Sequence, residues 1–293
     1  MNHLEVGRNV NQRLGFSSDN SFIIWDFPGG ERGLRCNIRS KCKSLFARIN
    51  TPKQLMDLLL AANALKNMGV LPETLELGYF PYARQDRITC EGEALSVQVI
   101  ADLIDNLGFR EVKVLDPHSN VLAACFKKTR FVAIPATYYC KNYLDQIRFR
   151  PNTTFALMAP DAGAVNRVLE VSKIVPATVI FGSKKRDSKD GKLSGFQIIN
   201  PEELANVTDL AIVDDICDGG GTFIGIADMI RNINPNIRMH LWVTHGIFSG
   251  KASEILPLRF TSIGTTDSWQ SEDSIKDLFL SANITPTVIS YWR

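Results

Sequence analysis

The stretch Leu-Ala-Ile-Val-Asp-Asp-Ile-Cys-Asp-Gly-Gly-Gly-Thr-Phe, from Leu210 to Phe223, decides the predicted fold and much of the predicted function. An apolar strand runs into two carboxylates, and a glycine loop ending in threonine stands directly before a helix-like segment. Glycines allow backbone N–H groups to turn toward an anion, and the positive end of the helix dipole adds to the attraction. Carboxylates at the end of a strand can accept hydrogen bonds from vicinal hydroxyls. The pattern therefore predicts a ribose-phosphate site. Its residues are Asp214, Asp215, Asp218, Gly219, Gly220, Gly221 and Thr222.

This loop differs from the two common nucleotide-binding loops. It lacks the Gly-Lys-Ser or Gly-Lys-Thr of nucleoside triphosphatases, and no G-x-G-x-x-G follows a strand. A glycine-rich turn alone is weak evidence of a site. The preceding strand with its carboxylates and the following threonine and apolar helix make the signal specific.

Outside this stretch, apolar periodicity alternates between strands and helices. Thr51-Pro52 opens one helix with a capping hydroxyl and a proline at the first helical position, and Gly69 stops it. Strands are predicted at 74–80, 112–115, 154–158, 178–181, 210–213 and 239–244, and further helices at 95–107, 162–172 and 222–233. Such alternation predicts an α/β fold with parallel sheets flanked by helices on both faces.

Length and composition indicate an ordinary globular protein of about two domains, with 293 residues, 45% of them hydrophobic and 22% charged. A net charge of +2 gives no broad basic field, so no nucleic-acid partner is expected. The six cysteines form no C-x-x-C pair, which favours reduced thiols. No signal-like or membrane-spanning apolar run is present, so we expect no membrane partner and a cytoplasmic location, including the cytoplasm of an infected host.

A second segment, Tyr-Phe-Pro-Tyr-Ala-Arg-Gln-Asp-Arg from Tyr79 to Arg87, narrows the family. It resembles the signature of ribose-phosphate pyrophosphokinase, and the glycine loop resembles the phosphoribosyl-diphosphate motif of type I phosphoribosyltransferases. Five further motifs follow the family's order along most of the chain. They are Phe27 to Glu31, Asp116 to Ser119, Ala159 to Gly163, Lys184 to Arg186, and Thr244 to Gly250.

The resemblance implies two tandem type I phosphoribosyltransferase-like domains, at 1–145 and 146–284, with the segment 285–293 returning to the first. It also implies ATP as a substrate, Mg²⁺ as cofactor, and a homo-oligomer, either a dimer or a hexamer. In open α/β sheets ligands gather at the carboxyl ends of strands, where several of the motif residues are expected to lie.

The resemblance also implies roles for single residues, several of which could instead be purely structural. Catalytic roles are implied for Lys184, Arg186 and Arg84, and ATP contacts for Phe27, Glu31, Arg84, Gln85, Asp86 and His118. A metal site is implied at His118 and Asp161. By composition alone, His118 would be a structural histidine, Arg84 a surface ion pair, Phe27 a core residue and Lys184 part of a solvated turn. Gly29 departs from the family, which usually has Asp or Asn there.

The implied reaction is attack of the anomeric hydroxyl of a ribose 5-phosphate group on the β-phosphorus of Mg-ATP, with release of AMP. Gly219 replaces the threonine common in the family's loop, which removes a hydroxyl and adds space. Bacteriophage-encoded relatives that share the Asp-Pro-His-Ser and Asp-Ile-Cys-Asp-Gly-Gly motifs resemble this chain more than housekeeping enzymes do. Some of them use ADP-ribose to rebuild NAD, so ADP-ribose is the favoured acceptor. Ribose 5-phosphate is the alternative, and a non-catalytic regulatory subunit is an alternative of another class.

Overall fold

The computed structural model describes residues 3–6, 22–37, 43–186 and 193–292. The chain divides into two compact units, 1–135 and 136–293. The sequence placed this boundary ten residues later, between 145 and 146. Helix 137–148 spans the expected boundary, and its buried face packs with residues of the second unit, so the unit begins with that helix.

The first unit contains a five-stranded parallel sheet with helices packed on it. The strands of the first unit, five in this sheet and two in a hairpin, are β1 (His3–Val6), β2 (Phe22–Asp26), β3 (Arg32–Cys36), β4 (Ser44–Ala47), β5 (Thr74–Leu77), β6 (Glu111–Leu115) and β7 (Arg130–Ile134). Its helices are α1 (Pro52–Asn67), α2 (Ser96–Asp105) and α3 (Val121–Cys125). The sheet order is β1-β4-β5-β6-β7, and β2 and β3 form a separate antiparallel hairpin.

Helix α1 begins where the sequence predicts. The Thr51 hydroxyl accepts the N–H of Gln54, and the Gln54 side chain returns a bond to the backbone of Thr51, which completes a capping box. Leu58, Ala61 and Leu65 then bury one face of the helix against the sheet, since they recur at the spacing of helical turns.

The second unit contains a seven-stranded sheet. Its helices are α4 (Thr137–Arg148), α5 (Val165–Ser172), α6 (Gly221–Ile233), α7 (Ala252–Ile255) and α8 (Glu272–Leu278). Its strands are β8 (Phe155–Ala159), β9 (Thr178–Arg186), β10 (Leu193–Ile198), β11 (Asp209–Cys217), β12 (Arg238–Gly246), β13 (Ser262–Thr266) and β14 (Thr287–Ile289). The order is β10-β9-β8-β11-β12-β13-β14, and every pairing is parallel except that of β10 with β9. Two apolar clusters flank this sheet, which confirms the predicted α/β class.

The end of the chain belongs to the second sheet. Strand β14 pairs with β13, the backbone N–H of Tyr291 donates to Asp267 at 2.6 Å, and the Trp292 indole donates to the Asp267 carbonyl at 3.1 Å. The described residues of the segment 285–293, which was expected to return to the first domain, therefore pair within the second unit. The signal for an edge strand of three residues is too short to read from periodicity.

A buried polar chain lies at the amino-terminal edge of the second sheet, opposite the ends that carry the glycine loop. Arg238 donates to Asp209 at 2.8 Å, and the ring of His240 lies 3.1 Å from Asp209 and 2.8 Å from the Ser262 hydroxyl. Burial lowers the pKa of His240, despite the opposing effect of Asp209, and burial raises the pKa of Tyr143, whose hydroxyl lies 2.7 Å from that of Ser262. A neutral His240 can then donate to Asp209 and accept from Ser262.

Candidate active site

Two carboxylates project from the end of β11. Strand β11 pairs with β8 only up to Ile212, opposite Met158, so the chain beyond this point extends past the end of β8. Asp214 and Asp215 lie in that extension, and Asp215 donates its backbone N–H to Asp214 Oδ1 at 2.9 Å. Their side chains are 14% and 7% exposed. The sequence ended this strand at Val213, whereas the structure continues it to Cys217, because β12 keeps pairing with it.

Arg167, a residue that sequence reasoning missed, bridges this pair. Its Nη1 lies 3.6 Å from Asp214 Oδ1 and its Nη2 lies 3.7 Å from Asp215 Oδ2, with the guanidinium side chain 15% exposed. Arg167 is the third residue of α5, which follows the turn after Asp161. A cation in the first turn of a helix runs against the helix dipole. The position of this arginine in the sequence is therefore a signal of a nearby anionic group.

The charges of this cluster act on one another. Burial raises the pKa of Asp214 well above its usual range, and the neighbouring Asp215 carboxylate raises it further. Arg167 opposes this and Asp161 adds to it, so three charged groups lie within electrostatic reach of Asp214. Asp161 begins the turn at Ala162–Ala164, where its Oδ1 accepts the Gly163 N–H at 2.9 Å. The cluster is suited to receiving hydroxyl donors or a cation.

The glycine loop turns directly into α6. Gly220 has φ +78° and caps the helix without a side-chain bond, a conformation that favours glycine. Gly219 and Gly221 are exposed, and a Cβ at Gly221 would meet no atom within 4 Å. The first N–H groups of a helix have no acceptor within the helix. This loop therefore offers hydrogen-bond donors and open space to an anion.

The segment after β12 supports the loop from one side. The N–H groups of Ile247 and Phe248 donate to the Cys217 carbonyl at 2.9 and 3.0 Å, and the Ser249 hydroxyl donates to Asp218 Oδ1 at 2.6 Å. Gly246 is required here, because a Cβ would overlap the ring of Phe248. This segment matches one of the family motifs, but the sequence pattern indicates no role for Ser249, because its hydrogen-bond partner lies 31 residues away in the chain.

In the first unit, four of the residues predicted to contact ATP follow the carboxyl ends of β5 and β6. Arg84 and Gln85 are exposed, Asp86 is partly exposed, and His118 is exposed. Two further non-glycine residues next to them have positive φ. They are Tyr82 at +61° and the buried Asp116 at +41°. Strained backbone of this kind is concentrated at functional sites.

The turn of the β2–β3 hairpin carries Phe27 and Glu31. Phe27 is 48% exposed and packs edge-to-face on Trp25 at 5.9 Å, so it is not a core residue. Arg32 fastens the hairpin to α1 through Asp57, with bonds of 2.9 and 2.8 Å. The hairpin therefore presents an aromatic ring and a carboxylate outward from a fixed base.

The basic segment Lys184 to Arg186 was predicted to carry catalytic side chains, with a solvated turn as the alternative. The backbone of Lys184, Lys185 and Arg186 continues β9 and pairs antiparallel with β10, with Lys184 opposite Phe196 and Arg186 opposite Leu193. The residues that follow, 187–192, lie outside the described residues.

The predicted metal residues belong to different units, His118 to the first and Asp161 to the second. Over the described parts of the chain, no three His, Cys, Asp or Glu side chains come together closely enough to hold a metal. Burial also raises the pKa of the Cys217 thiol, so this neighbour of the loop stays a neutral core residue. No helix within the described ranges is long and apolar enough to cross a membrane.

Comparisons with known proteins agree with this architecture. A family model described as the N-terminal domain of ribose phosphate pyrophosphokinase matches residues 2–108, and one described as a phosphoribosyl transferase domain matches residues 136–270. A ribose-phosphate pyrophosphokinase of Mycoplasma pneumoniae is 30% identical over 236 residues, which cover 78% of this chain and 69% of the relative. The chain belongs to the ribose-phosphate pyrophosphokinase family.

Two further members of this family bear on its fold and extent. A ribose-phosphate pyrophosphokinase of Cereibacter sphaeroides is 29% identical over 232 residues, covering 76% of this chain and 65% of that relative. The solved phosphoribosylpyrophosphate synthetase of Mycobacterium smegmatis superposes with a TM-score of 0.75 at 22% identity, covering 92% of this chain and 85% of that structure. The predicted pair of phosphoribosyltransferase-type domains is therefore confirmed.

Proposed function

We propose that this chain transfers the β,γ-diphosphate of Mg-ATP to the anomeric 1-hydroxyl of a ribose 5-phosphate group and releases AMP. The observation that carries the proposal is the buried pair Asp214 and Asp215, directly followed by the open glycine loop at the start of α6. A diol-accepting pair beside an anion-binding turn matches a sugar phosphate. Membership of the ribose-phosphate pyrophosphokinase family adds the diphosphate donor.

The acceptor sugar is held by groups of the second unit. Asp214 and Asp215 accept hydrogen bonds from the 2- and 3-hydroxyls, which are donors of the right geometry for adjacent carboxylates. The 5-phosphate binds the N–H groups of the glycine loop and the Thr222 hydroxyl, where the dipole of α6 favours negative charge. Holding the sugar at both ends fixes the 1-hydroxyl for attack.

In the reaction, the oxygen of the 1-hydroxyl forms a bond to the β-phosphorus and loses its proton to solvent. The bond from the β-phosphorus to the bridging oxygen of the α-phosphate breaks, and AMP leaves with that electron pair. Lys184 and Arg186 offset the charge on the transferred group, and Arg84 with Gln85 and Asp86 contacts the triphosphate. Phe27 and Glu31 contact adenine.

When magnesium is bound, it would offset the negative charge of the triphosphate. The residues proposed to hold it are His118 and Asp161, the latter a hard oxygen donor beside the Asp214 carboxylate. Mg²⁺ keeps waters and phosphate oxygens in its shell, so it needs few protein ligands.

For the acceptor we propose ADP-ribose, on the geometry at Gly219. This residue is exposed, and a Cβ there would reach only the Ser249 hydroxyl, at 4.0 Å. A side chain would therefore fit, and its absence leaves room for a substituent on the phosphate. The names of the relatives favour the alternative, ribose 5-phosphate.

The test is to incubate ATP and Mg²⁺ with each acceptor and measure AMP by chromatography. We expect AMP with both acceptors, a higher kcat/KM for ADP-ribose, and a shift toward ribose 5-phosphate in Gly219→Thr. A tenfold shift needs about 1.4 kcal/mol, which one hydroxyl contact to a phosphate can supply. Use of ribose 5-phosphate alone would overturn the choice of acceptor. No AMP with either acceptor would favour the regulatory subunit.

The active form is proposed to be a homo-oligomer, a dimer or a hexamer, because the hairpin presents Phe27 and Glu31 outward and the family resemblance has them complete an adenine site on a neighbouring copy. Light scattering at assay concentration tests this. A fully active monomer would contradict a shared site.

A further inference from the structure

The guanidinium of Arg167 lies against two neighbouring carboxylates at once, at distances longer than those of the buried Arg32–Asp57 pair. It lies 3.6 Å from an oxygen of Asp214 and 3.7 Å from an oxygen of Asp215. By contrast, Arg32 donates to Asp57 at 2.9 and 2.8 Å. Charge-assisted hydrogen bonds are about 2.7–2.9 Å long, so the contacts of Arg167 with Asp214 and Asp215 are ion pairs at longer range.

Such balance is needed at this place in the fold. Asp214 and Asp215 are adjacent and largely buried, and Asp161 adds a third negative charge within reach. Burial and like charges both favour the neutral carboxylic acid, which accepts hydrogen bonds less well than a carboxylate. Arg167 works against this, because a cation spanning both groups favours their ionised forms.

The position of Arg167 is fixed by the chain. The turn that Asp161 begins leads into α5, and the helix then buries Val168 and Val171 against the second sheet. This packing holds the guanidinium beside the end of β11.

We infer that Arg167 is a positioning residue: its guanidinium lies against both Asp214 and Asp215 and orients them as acceptors for the vicinal diol of the acceptor sugar. The inference rests on the proposed function for the identity of the ligand as a ribose phosphate. It makes Arg167 a determinant of specificity for sugars that have both hydroxyls, although it is not proposed to touch the reacting atoms.

The test measures binding and turnover in Arg167→Gln, Arg167→Lys and the control Arg148→Gln. Arg148 is a matched control because it also pairs with an aspartate of the second unit, Asp145 at 2.7 Å, with a side chain 20% exposed. Calorimetry uses ribose 5-phosphate and 2-deoxyribose 5-phosphate as probes, and steady-state kinetics gives separate KM values for acceptor and ATP. Thermal melting checks that every variant is folded.

We expect wild type to bind ribose 5-phosphate about tenfold to a hundredfold more tightly than its 2-deoxy analogue, the range for a hydrogen bond to a charged group. Arg167→Gln should lose most of that preference and raise the acceptor KM but not the ATP KM. Arg167→Lys should recover part of it, and Arg148→Gln should behave as wild type.

The outcomes separate this inference from the proposed function. A preference unchanged in a folded Arg167→Gln, or equal rises in both KM values, would overturn the role of Arg167 even if diphosphate transfer is observed. A preference that falls in Arg167→Gln would support the role even if no AMP is formed. Wild type that binds neither probe would overturn both.

Discussion

Replacing Gly220 by alanine tests the conformation on which the glycine loop depends. The residue has φ +78°, and a left-handed conformation costs an L-residue roughly 1–2 kcal/mol. A Cβ would lie 3.4 and 3.5 Å from atoms of Leu256, which is ordinary contact, so backbone strain accounts for most of the cost. The free energy of unfolding of the second unit should fall by about 1–2 kcal/mol in Gly220→Ala.

Gly221→Ala is the matched control, one residue further along. Its Cβ would meet nothing within 4 Å and its φ is not positive, so alanine should add about 0.4–1 kcal/mol by restricting the unfolded chain. The two variants should therefore differ by about 1.4–3 kcal/mol. If the open space above Gly221 receives the 5-phosphate, the acceptor affinity of Gly221→Ala should fall although its stability does not.

The assay is urea denaturation followed by tryptophan fluorescence, with acceptor binding measured by calorimetry. Three of the four tryptophans, Trp242, Trp269 and Trp292, lie in the second unit, so that transition dominates the signal. Because the chain has two units, the midpoint of the second unit's transition is compared rather than one global value. Stabilities within about 0.5 kcal/mol of each other would refute the left-handed conformation of Gly220.

Three further predictions follow from other parts of the chain. Lys184→Ala and Arg186→Ala should each lower kcat by about 10²- to 10³-fold with little change in KM, because these cations are proposed to stabilise charge in the transition state. If both variants keep wild-type turnover at saturating substrate, the catalytic assignment of this segment is wrong. Activity should require a divalent cation and Asp161→Ala should raise that requirement or abolish activity; full activity in excess chelator would contradict this. Burial alone would raise the pKa of Asp209, but hydrogen bonds, chiefly from Arg238, hold it at about 2, against 3.8 for an ordinary aspartate. Because the pKa of Asp209 is lower in the folded protein than in the unfolded chain, Asp209 contributes roughly 2 kcal/mol to the free energy of unfolding above pH ~4. This contribution is lost as the pH falls toward ~2. Denaturation should accordingly show that Asp209→Asn is less stable than wild type at pH 7 and that the difference is smaller at pH 3. Equal stabilities at pH 7 would contradict a stabilising interaction between Asp209 and Arg238.

The parts of the fold that local sequence dictates were predictable. The apolar run before Asp214 and the glycines after Asp218 specify a strand, a tight turn and a helix start without reference to distant residues. The capping box at Thr51 is likewise complete within four residues. These features depend on backbone conformation and on hydrogen bonds between near neighbours, which the order of the residues determines.

What depends on long-range pairing was not predictable. Arg167 meets Asp214 only because α5 packs beside β11, and Ser249 reaches Asp218 only because β12 lies next to it. The continuation of β9 to Arg186 is likewise determined by its partner β10, since the basic residues themselves favour a solvated turn. Tertiary contacts override local preference at such places.

The most direct test of diphosphate transfer is the fate of labelled ATP. The protein is incubated with Mg²⁺, ADP-ribose or ribose 5-phosphate, and ATP that has radioactive phosphorus at either the α- or the γ-position. The account predicts that the α-label appears only in AMP and the γ-label only in the sugar product, in equal amounts and in proportion to the acceptor consumed. Appearance of ADP that retains the α-label together with a sugar that has gained a single γ-labelled phosphate, or of no labelled sugar at all, would contradict it.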